Sequence, residues 1–197
     1  MLGQLFRTCF VSMKINTEAL LQNLEAITCE NLEELKMLES CSGPQLQQRE
    51  SDSSWNALEC LEHLNRYSEF YLPAFEKSMS RPSGDPEAEF RSGWLGNYFA
   101  EMMKPGPSMK TMKTFASKNP FNQGVKSEVI DRFRVQQEQT LELLKMARRH
   151  NLNRARVATT LGPLVRFKLG DALAFVIYHN QRHMVQALKA AGVAVEV

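Results

Sequence analysis

The sequence contains no long hydrophobic run. No stretch approaches the roughly 18 consecutive apolar residues that a membrane-spanning helix needs, so we predict no membrane partner. The apolar N-terminus, residues 1–11, is interrupted by Arg7 and lacks a small-residue cleavage site after a continuous apolar core. These residues therefore make a poor signal peptide.

Cysteine is scarce and follows no pairing pattern. The chain has four cysteines and no CxxC pair among Cys9, Cys29, Cys41 and Cys60. A chain of 197 residues with ordinary apolar content can bury a core without disulfide bonds. A reducing compartment fits this usage, and we expect a cytoplasmic protein.

Neither sign of charge is in excess. Lys and Arg number 24 against 22 Asp and Glu, a formal net charge of +2. So small a surplus makes no electrostatic case for binding nucleic acid or an anionic membrane surface. It favours a small molecule or another protein as the partner.

Apolar periodicity predicts four long amphipathic helices and places all of the chemistry on them. They are expected over residues 16–38, 52–78, 125–150 and 169–191. Proline and glycine interrupt residues 80–123, where one short helix is expected near residues 94–103, and we interpret this long crossover as a lid. Strand-like alternation is absent apart from the short ends of the chain. The pattern indicates an all-α fold, an antiparallel four-helix bundle of residues 13–197, with residues 1–12 as an N-terminal extension.

Two histidines carry the strongest chemical signal. His179 and His183 are four residues apart on the last predicted helix, so their imidazoles project from one face about one turn apart. Ala172 and Val176 precede them on the same stripe, which should face the interior. Imidazole nitrogen is a common ligand for Zn, Ni, Fe and Cu, so the pair is typical of a metal chelate.

A third ligand is expected from His63, which lies in the middle of the second predicted helix. Three protein ligands with one open position suit a catalytic metal, and Cys60 or Glu59, one turn earlier, is the candidate for a fourth ligand. The competing interpretation is a hydrogen-bonded structural histidine at position 63 and an exposed chance pair on the last helix. His150 falls at a helix C-terminus, where a histidine favours the helix dipole, and receives no chemical role.

Other polar residues near these histidines have plain structural interpretations. We interpret Cys60 as a small core residue rather than as a nucleophile. We interpret Arg182 as a surface or interface charge rather than as an anchor for an anionic substrate. Glu59 or Glu62 is the candidate general base, although a helical glutamate is most often solvated. The basic stretch over residues 104–118 is expected to be a solvated loop.

Three segments resemble one known family. They are residues 54–64 (SWNALECLEHL), residues 169–173 (LGDAL) and residues 179–186 (HNQRHMVQ), and the likeness to the DinB/YfiT-like superfamily of metalloproteins extends over most of the chain from about residue 13. The resemblance implies an up-down-down-up four-helix bundle that holds a divalent metal ion, Zn or Ni, on His63, His179 and His183. Some relatives transfer low-molecular-weight thiols or isomerise small substrates with a thiol cofactor, and others are hydrolase-like. The resemblance implies no particular substrate.

Two functional hypotheses follow. The first is a metal-dependent thiol transferase or hydrolase that acts on a small molecule, with a low-molecular-weight thiol as a candidate partner. The second is a non-catalytic, metal-stabilised stress or binding module, which a fourth protein ligand would favour. DNA binding is a weaker third hypothesis that the balanced charge disfavours. A homodimer is expected, because amphipathic bundles of this size often pair through an exposed helix face.

Overall fold

The computed structural model describes residues 14–106 and 113–194 of the chain. The predicted extension, residues 1–12, lies outside the described residues, so that boundary stays a prediction. The described chain is mainly helical, in agreement with the predicted class, and none of its helices is long and apolar enough to cross a membrane. Its α-helices are α1 (Thr17–Glu39), α2 (Gly43–Gln47), α3 (Ala57–Met79), α4 (Trp94–Met103), α5 (Glu128–Ala147) and α6 (Leu169–Ala190). Its strands are β1 (Lys14–Asn16), β2 (Glu89–Arg91), β3 (Arg156–Thr159) and β4 (Gly162–Lys168).

The four longest helices form the body of the molecule. Helix α3 packs against α5 and α6, and α1 packs against the same two helices on the other side. Helix α3 begins at Ala57, later than the predicted start at residues 52–54. Asn56 accepts from the backbone N–H of Glu59 at 2.8 Å, and the Glu59 carboxylate accepts from the backbone N–H of Asn56 at 3.1 Å. This reciprocal capping box fixes the first turn of the helix that carries His63.

Two small antiparallel sheets were missed by the sequence interpretation. Strand β1 pairs with β2, and β3 forms a hairpin with β4 in which Val157 lies opposite Phe167. Strand β3 does alternate, with Val157 and Thr159 buried and the residues between them exposed. Four residues are too few for a period of two to stand out, so the expectation of a chain without internal strands was wrong for residues 156–168.

The crossover between α3 and α5 is anchored on the start of α6. The Asp171 carboxylate accepts from the backbone N–H of Gly93 at 2.8 Å. A Cβ atom at Gly96 would lie 2.5 Å from the Cβ of Asp171, and one at Gly170 would lie 2.6 Å from the Phe90 ring. These close approaches need glycine, and they dock α4 directly against the helix that carries His179 and His183.

A band of buried polar side chains separates two apolar clusters, one toward each end of the long helices. One apolar cluster contains Leu20 to Ile27 of α1 and Tyr67 to Met79 of α3, and the second contains the opposite ends of the same helices. Between the clusters each long helix contributes buried polar side chains. They are Thr28 and Asn31 on α1, His63, Asn65 and Ser68 on α3, Gln136, Gln137 and Thr140 on α5, and His179 and Asn180 on α6.

Candidate metal centre

Three histidines converge within the polar band. The ring centroids of His63 and His179 are 5.0 Å apart, and the His183 centroid lies 4.7 Å from each of them. One nitrogen from each ring lies within 4.8 Å of the other two. The structure thus brings together the three residues that the sequence singled out, although His63 and His179 are separated by more than 100 residues along the chain.

The closest pair has the separation of two ligands on one ion. His63 Nε2 lies 3.1 Å from His179 Nε2. Imidazole nitrogens bind zinc at roughly 2.0–2.1 Å, so two of them at ordinary coordination angles lie roughly 3.0–3.4 Å apart. The positions of His63 and His179 are therefore compatible with a shared metal ion.

The outer nitrogens of two rings are held by fixed acceptors. His63 Nδ1 donates to the backbone carbonyl of Lys118 at 2.8 Å, and His183 Nδ1 donates to Gln186 Oε1 at 2.8 Å. Each hydrogen bond places the ring proton on Nδ1 and the lone pair on Nε2, which is the arrangement typical of metal-binding histidines. The Nδ1 atom of His179 is buried without a hydrogen-bond partner among the described residues. Two of the three imidazoles are thus oriented in advance for a cation.

Burial keeps all three imidazoles neutral. His63 is 2% exposed and His179 is 5% exposed, while His183 is partly buried. Loss of solvation lowers the pKa of His63 to about 4, and the nearby Lys118 and Arg66 charges act in the same direction. Loss of solvation also lowers the pKa of His179 and His183 well below the usual value. At pH 7 the rings therefore carry no proton that a metal ion would have to displace.

Aromatic side chains enclose the centre. The Trp55 ring lies 4.6 Å from that of His63 and 5.6 Å from that of His183. Tyr67 packs between His63 and His179 at 4.9 and 4.7 Å, and Phe175 stacks on His179 at 6.1 Å. These rings restrict rotation of the imidazoles and limit the access of water to them.

The later part of the crossover closes over the histidines. Asn119 is held on both sides, since its carbonyl accepts from Arg66 at 3.2 Å and its side chain accepts from Trp55 Nε1 at 3.2 Å. Lys118 contributes its carbonyl to His63, and its Nζ donates to the carbonyl of Arg66. The expectation of a solvated basic loop was wrong for Lys118. The lid interpretation of residues 80–123 stays a prediction, although Lys118 contacts His63 and Asn119 contacts Trp55.

The candidate fourth ligands lie outside the cluster. Cys60 is fully buried in the second apolar cluster, and burial raises the pKa of its thiol, so it fits the core interpretation. The Glu59 carboxylate is occupied by Arg49 at 2.5 and 2.8 Å and by the backbone N–H of Asn122 at 2.7 Å. Among the described residues, the group that can share one ion consists of the three histidines.

The candidate general bases are also bound elsewhere. Glu59 is held as above, and Glu62 pairs with Arg66 at 2.7 Å and with Arg132. Neither carboxylate belongs to the histidine group, and the expectation of a glutamate base at these positions stays a prediction. His150 follows the end of α5 and is likewise not part of the group.

Three contributors were not assigned a role from the sequence. Trp55, Lys118 and Arg182 all lie at the centre, and Arg182 is partly buried, with Nη1 donating to the carbonyl of Met102 at 3.4 Å. Arg182 thus fits the interface alternative of the surface or interface charge that was expected. Its position between His179 and His183 was the one available signal, whereas nothing in the local sequence marks Lys118.

Comparison with known proteins yields one match. The family model of the DinB superfamily matches residues 28–187, which include all three histidines and the four long helices except for the first turns of α1 and the last turn of α6. No curated protein and no solved structure matches the chain significantly.

Proposed function

Because the chain belongs to the DinB superfamily, we propose that it is a divalent-metal-dependent enzyme acting on a small molecule, with the ion held by His63, His179 and His183. The observation that carries the proposal is the convergence of three neutral imidazoles, two of which have Nδ1 fixed by a carbonyl oxygen. Such outer hydrogen bonds orient metal ligands and raise their basicity.

The composition of the centre favours a catalytic ion over a structural one. Structural zinc sites are usually closed by four protein ligands, whereas catalytic sites keep a position for water or substrate. The described residues offer three ligands, and the nearest thiol, Cys60, belongs to the apolar core. This supports the enzyme hypothesis over the metal-stabilised binding module, which stays the second candidate.

The chain's own residues have separable tasks. His63 is oriented by the Lys118 carbonyl and His183 by Gln186, so substrate binding need not reorganise them. Trp55 and Tyr67 form an apolar wall that limits water and packs against a small substrate. When bound, the ion supplies Lewis acidity, which lowers the pKa of a coordinated water or thiol.

The finer assignments are proposals that follow the family resemblance. We propose thiol transfer or hydrolysis as the reaction type, zinc or nickel as the metal, a small molecule and a low-molecular-weight thiol as the partners, and a cytoplasmic homodimer as the working form. We also propose the up-down-down-up bundle for α1, α3, α5 and α6. The packing of α3 and α1 against both α5 and α6 supports that topology.

Cobalt substitution tests the proposal. Co²⁺ occupies zinc-type sites, and its visible spectrum reports the number and type of its ligands. The purified protein should bind one Co²⁺ per chain, and azide should change the spectrum by entering the open position. A spectrum that azide leaves unchanged, or one with a cysteine thiolate band in the protein alone, would favour the closed structural site. Failure of His63→Ala to reduce cobalt binding would exclude this centre.

A further inference from the structure

The carbonyl that orients His63 lies on a different segment of the chain from His63 itself. Lys118 ends the single 3-10 turn Ala116–Lys118 of the crossover, and its carbonyl accepts from His63 Nδ1 at 2.8 Å. The backbone hydrogen bonds of α3 fix His63 but cannot fix an acceptor outside the helix. The bond between them therefore depends on contacts that hold residues 118 and 119 against α3.

The Arg66 side chain makes one set of these contacts. Arg66 follows His63 by three residues on α3, so the two side chains lie on neighbouring parts of one helix face. Its Nη1 donates to the carbonyl of Asn119 at 3.2 Å, and its Nη2 donates to Gln123 Oε1 at 2.6 Å. The third donor, Nε, binds Glu62 at 2.7 Å. Because the guanidinium is planar, these three bonds together fix its direction as well as its place.

The Arg66 backbone makes a second contact with the same segment. Lys118 Nζ donates to the carbonyl of Arg66. Arg66 is thus bonded to two successive residues of the crossover, to Asn119 through its guanidinium and to Lys118 through its carbonyl. The carbonyl of Lys118 and the N–H of Asn119 belong to one rigid peptide plane. Holding both residues therefore fixes the oxygen that accepts from His63.

The positive charge of Arg66 acts on His63 in the opposite sense to this positioning. Burial is the main cause of the low His63 pKa; the hydrogen bond to the Lys118 carbonyl raises the pKa, and the Lys118 and Arg66 cations lower it. A bound divalent ion is repelled by the same two cations and favoured by the same carbonyl. Removal of the Arg66 charge alone would therefore strengthen metal binding, whereas loss of the carbonyl's position would weaken it.

We infer that Arg66 is a positioning residue of the metal centre, whose guanidinium and backbone carbonyl together keep the Lys118 carbonyl on His63 Nδ1. This inference rests on the proposed function. Arg66 acts only through Lys118 and Asn119 and touches neither the ion nor the substrate. Outer hydrogen-bond partners of metal ligands are worth about 10- to 100-fold in metal affinity, which sets the size of the expected effect.

The cobalt affinity of Arg66→Met tests the inference. Methionine keeps much of the apolar stem but has no donor for Asn119, and the Arg66 carbonyl that binds Lys118 is retained. The dissociation constant for Co²⁺, measured by competition with a chelator, should rise about 10-fold. Addition of Lys118→Met removes the second contact as well and should bring the rise to about 100-fold. Circular dichroism checks that each variant is folded.

Arg132→Met is the matched control. Arg132 pairs with Glu62, as Arg66 does, and with Glu69 at 3.3 Å. This variant also removes one positive charge and one partner of Glu62, but it leaves the bonds of Arg66 to the crossover in place. The Co²⁺ dissociation constant should stay within about twofold of the native value, because charge effects between exposed groups are screened.

Nuclear magnetic resonance of the zinc-loaded protein supplies a measurement that a purely structural role would not change. The Nδ1 protons of His63 and His183 are both hydrogen-bonded, the first to the crossover and the second to Gln186 on its own helix. Arg66→Met should make the His63 proton exchange with water about 10-fold faster or more, because its acceptor is less firmly held. The His183 proton should exchange at the native rate in the same sample.

The outcomes separate this inference from the proposed function. Native or tighter cobalt binding by folded Arg66→Met overturns the positioning role and leaves the metal centre standing. An equal loss of affinity in Arg132→Met, or equally faster exchange of both ring protons, also overturns it. Should Arg66→Met not fold, Lys118→Met alone is measured in the same two ways, and native values there overturn the inference. Failure of the native protein to bind cobalt overturns the proposed function and this inference with it.

Discussion

Two buried polar regions lie side by side in the same band of the core, and they differ in what their atoms can bind. The histidine centre presents ring nitrogens that converge, with the outer nitrogens of His63 and His183 already engaged. The neighbouring amide group leaves several atoms without a hydrogen-bond partner among the described residues. The amide group consists of Asn31, Asn65, Gln136, Gln137 and Asn180.

The amide group joins helices through hydrogen bonds of its own. Asn65 donates to the carbonyl of Val129 at 2.9 Å, which ties α3 to α5. Asn180 donates to Gln137 Oε1 at 3.5 Å, which ties α6 to α5. Amides are both donors and acceptors, so they can pair with one another, whereas the Nε2 atoms of His63 and His183 can only accept and are satisfied by a cation or by an N–H donor.

The difference between the regions is sharpest at two adjacent residues. His179 and Asn180 follow each other on α6, both are almost fully buried, and they turn to different helices. Burial alone therefore does not indicate function. The direction of the lone pairs and the identity of the neighbours do.

The largest difference between the two regions is expected when His179 and Asn180 are substituted separately. His179→Ala removes one of three ligands and should reduce the bound metal from one ion per chain to nearly none, with the helical circular dichroism signal preserved. Asn180→Ala should keep the metal and lower the free energy of unfolding by about 1–3 kcal/mol, because the buried Gln137 oxygen loses its donor. Elemental analysis and chemical denaturation of both variants measure this. Equal metal loss in the two would show that the regions are not distinct.

The second largest effect is expected from removal of the metal, which should lower the thermal stability of the protein. A ligand that binds only the folded state stabilises it, by about 4 kcal/mol when its concentration is 1,000 times its dissociation constant. A chelator should therefore lower the melting temperature of the native protein, as scanning calorimetry will show. The same treatment should leave the melting temperature of His179→Ala unchanged. A native protein of verified metal content that melts identically with and without chelator would contradict the account.

The metal-free protein should lose stability as pH falls through a defined window. The pKa of His63 is about 4 in the folded protein and 6.5 for a solvent-exposed histidine in the unfolded chain. Between these two pH values the unfolded chain therefore binds more protons than the folded protein. The free energy of unfolding is then fully retained above about pH 6.5 and decreases toward pH 4, by about 3 kcal/mol for this residue alone. Urea denaturation across this range measures the slope. His63→Gln should flatten it, whereas Asn31→Leu should not.

The smallest effect is expected at the amide group itself. Asn31 is fully buried, and neither its oxygen nor its nitrogen has a hydrogen-bond partner among the described residues. Asn31→Leu replaces the amide with an apolar group of similar volume, and we expect it to be neutral or stabilising by about 1 kcal/mol with metal content unchanged. A loss of more than about 2 kcal/mol would show that the Asn31 amide makes hydrogen bonds essential to the native state.

The long helices and the pair His179 and His183 were predictable from the sequence because both depend on short-range periodicity, whereas His63 was expected from its place in the middle of a helix and from the family resemblance. A spacing of four places His179 and His183 on one helix face wherever that helix packs, and α1 and α6 end within a residue of their predicted limits. The hairpin at residues 156–168 was missed because β3 has only four residues and β4 shows no regular alternation of buried and exposed side chains. The roles of Lys118 and Trp55 depend on contacts across more than 50 residues, which no local pattern encodes.

Anomalous scattering from crystals of the metal-loaded protein tests the central claim most directly. Data collected at the absorption edge of the bound metal should show one strong peak per chain, roughly 2.0–2.2 Å from a nitrogen of His63, His179 and His183. A peak at any other position in protein of one-to-one metal content would contradict the account. So would histidine rings that bond only to each other in such crystals.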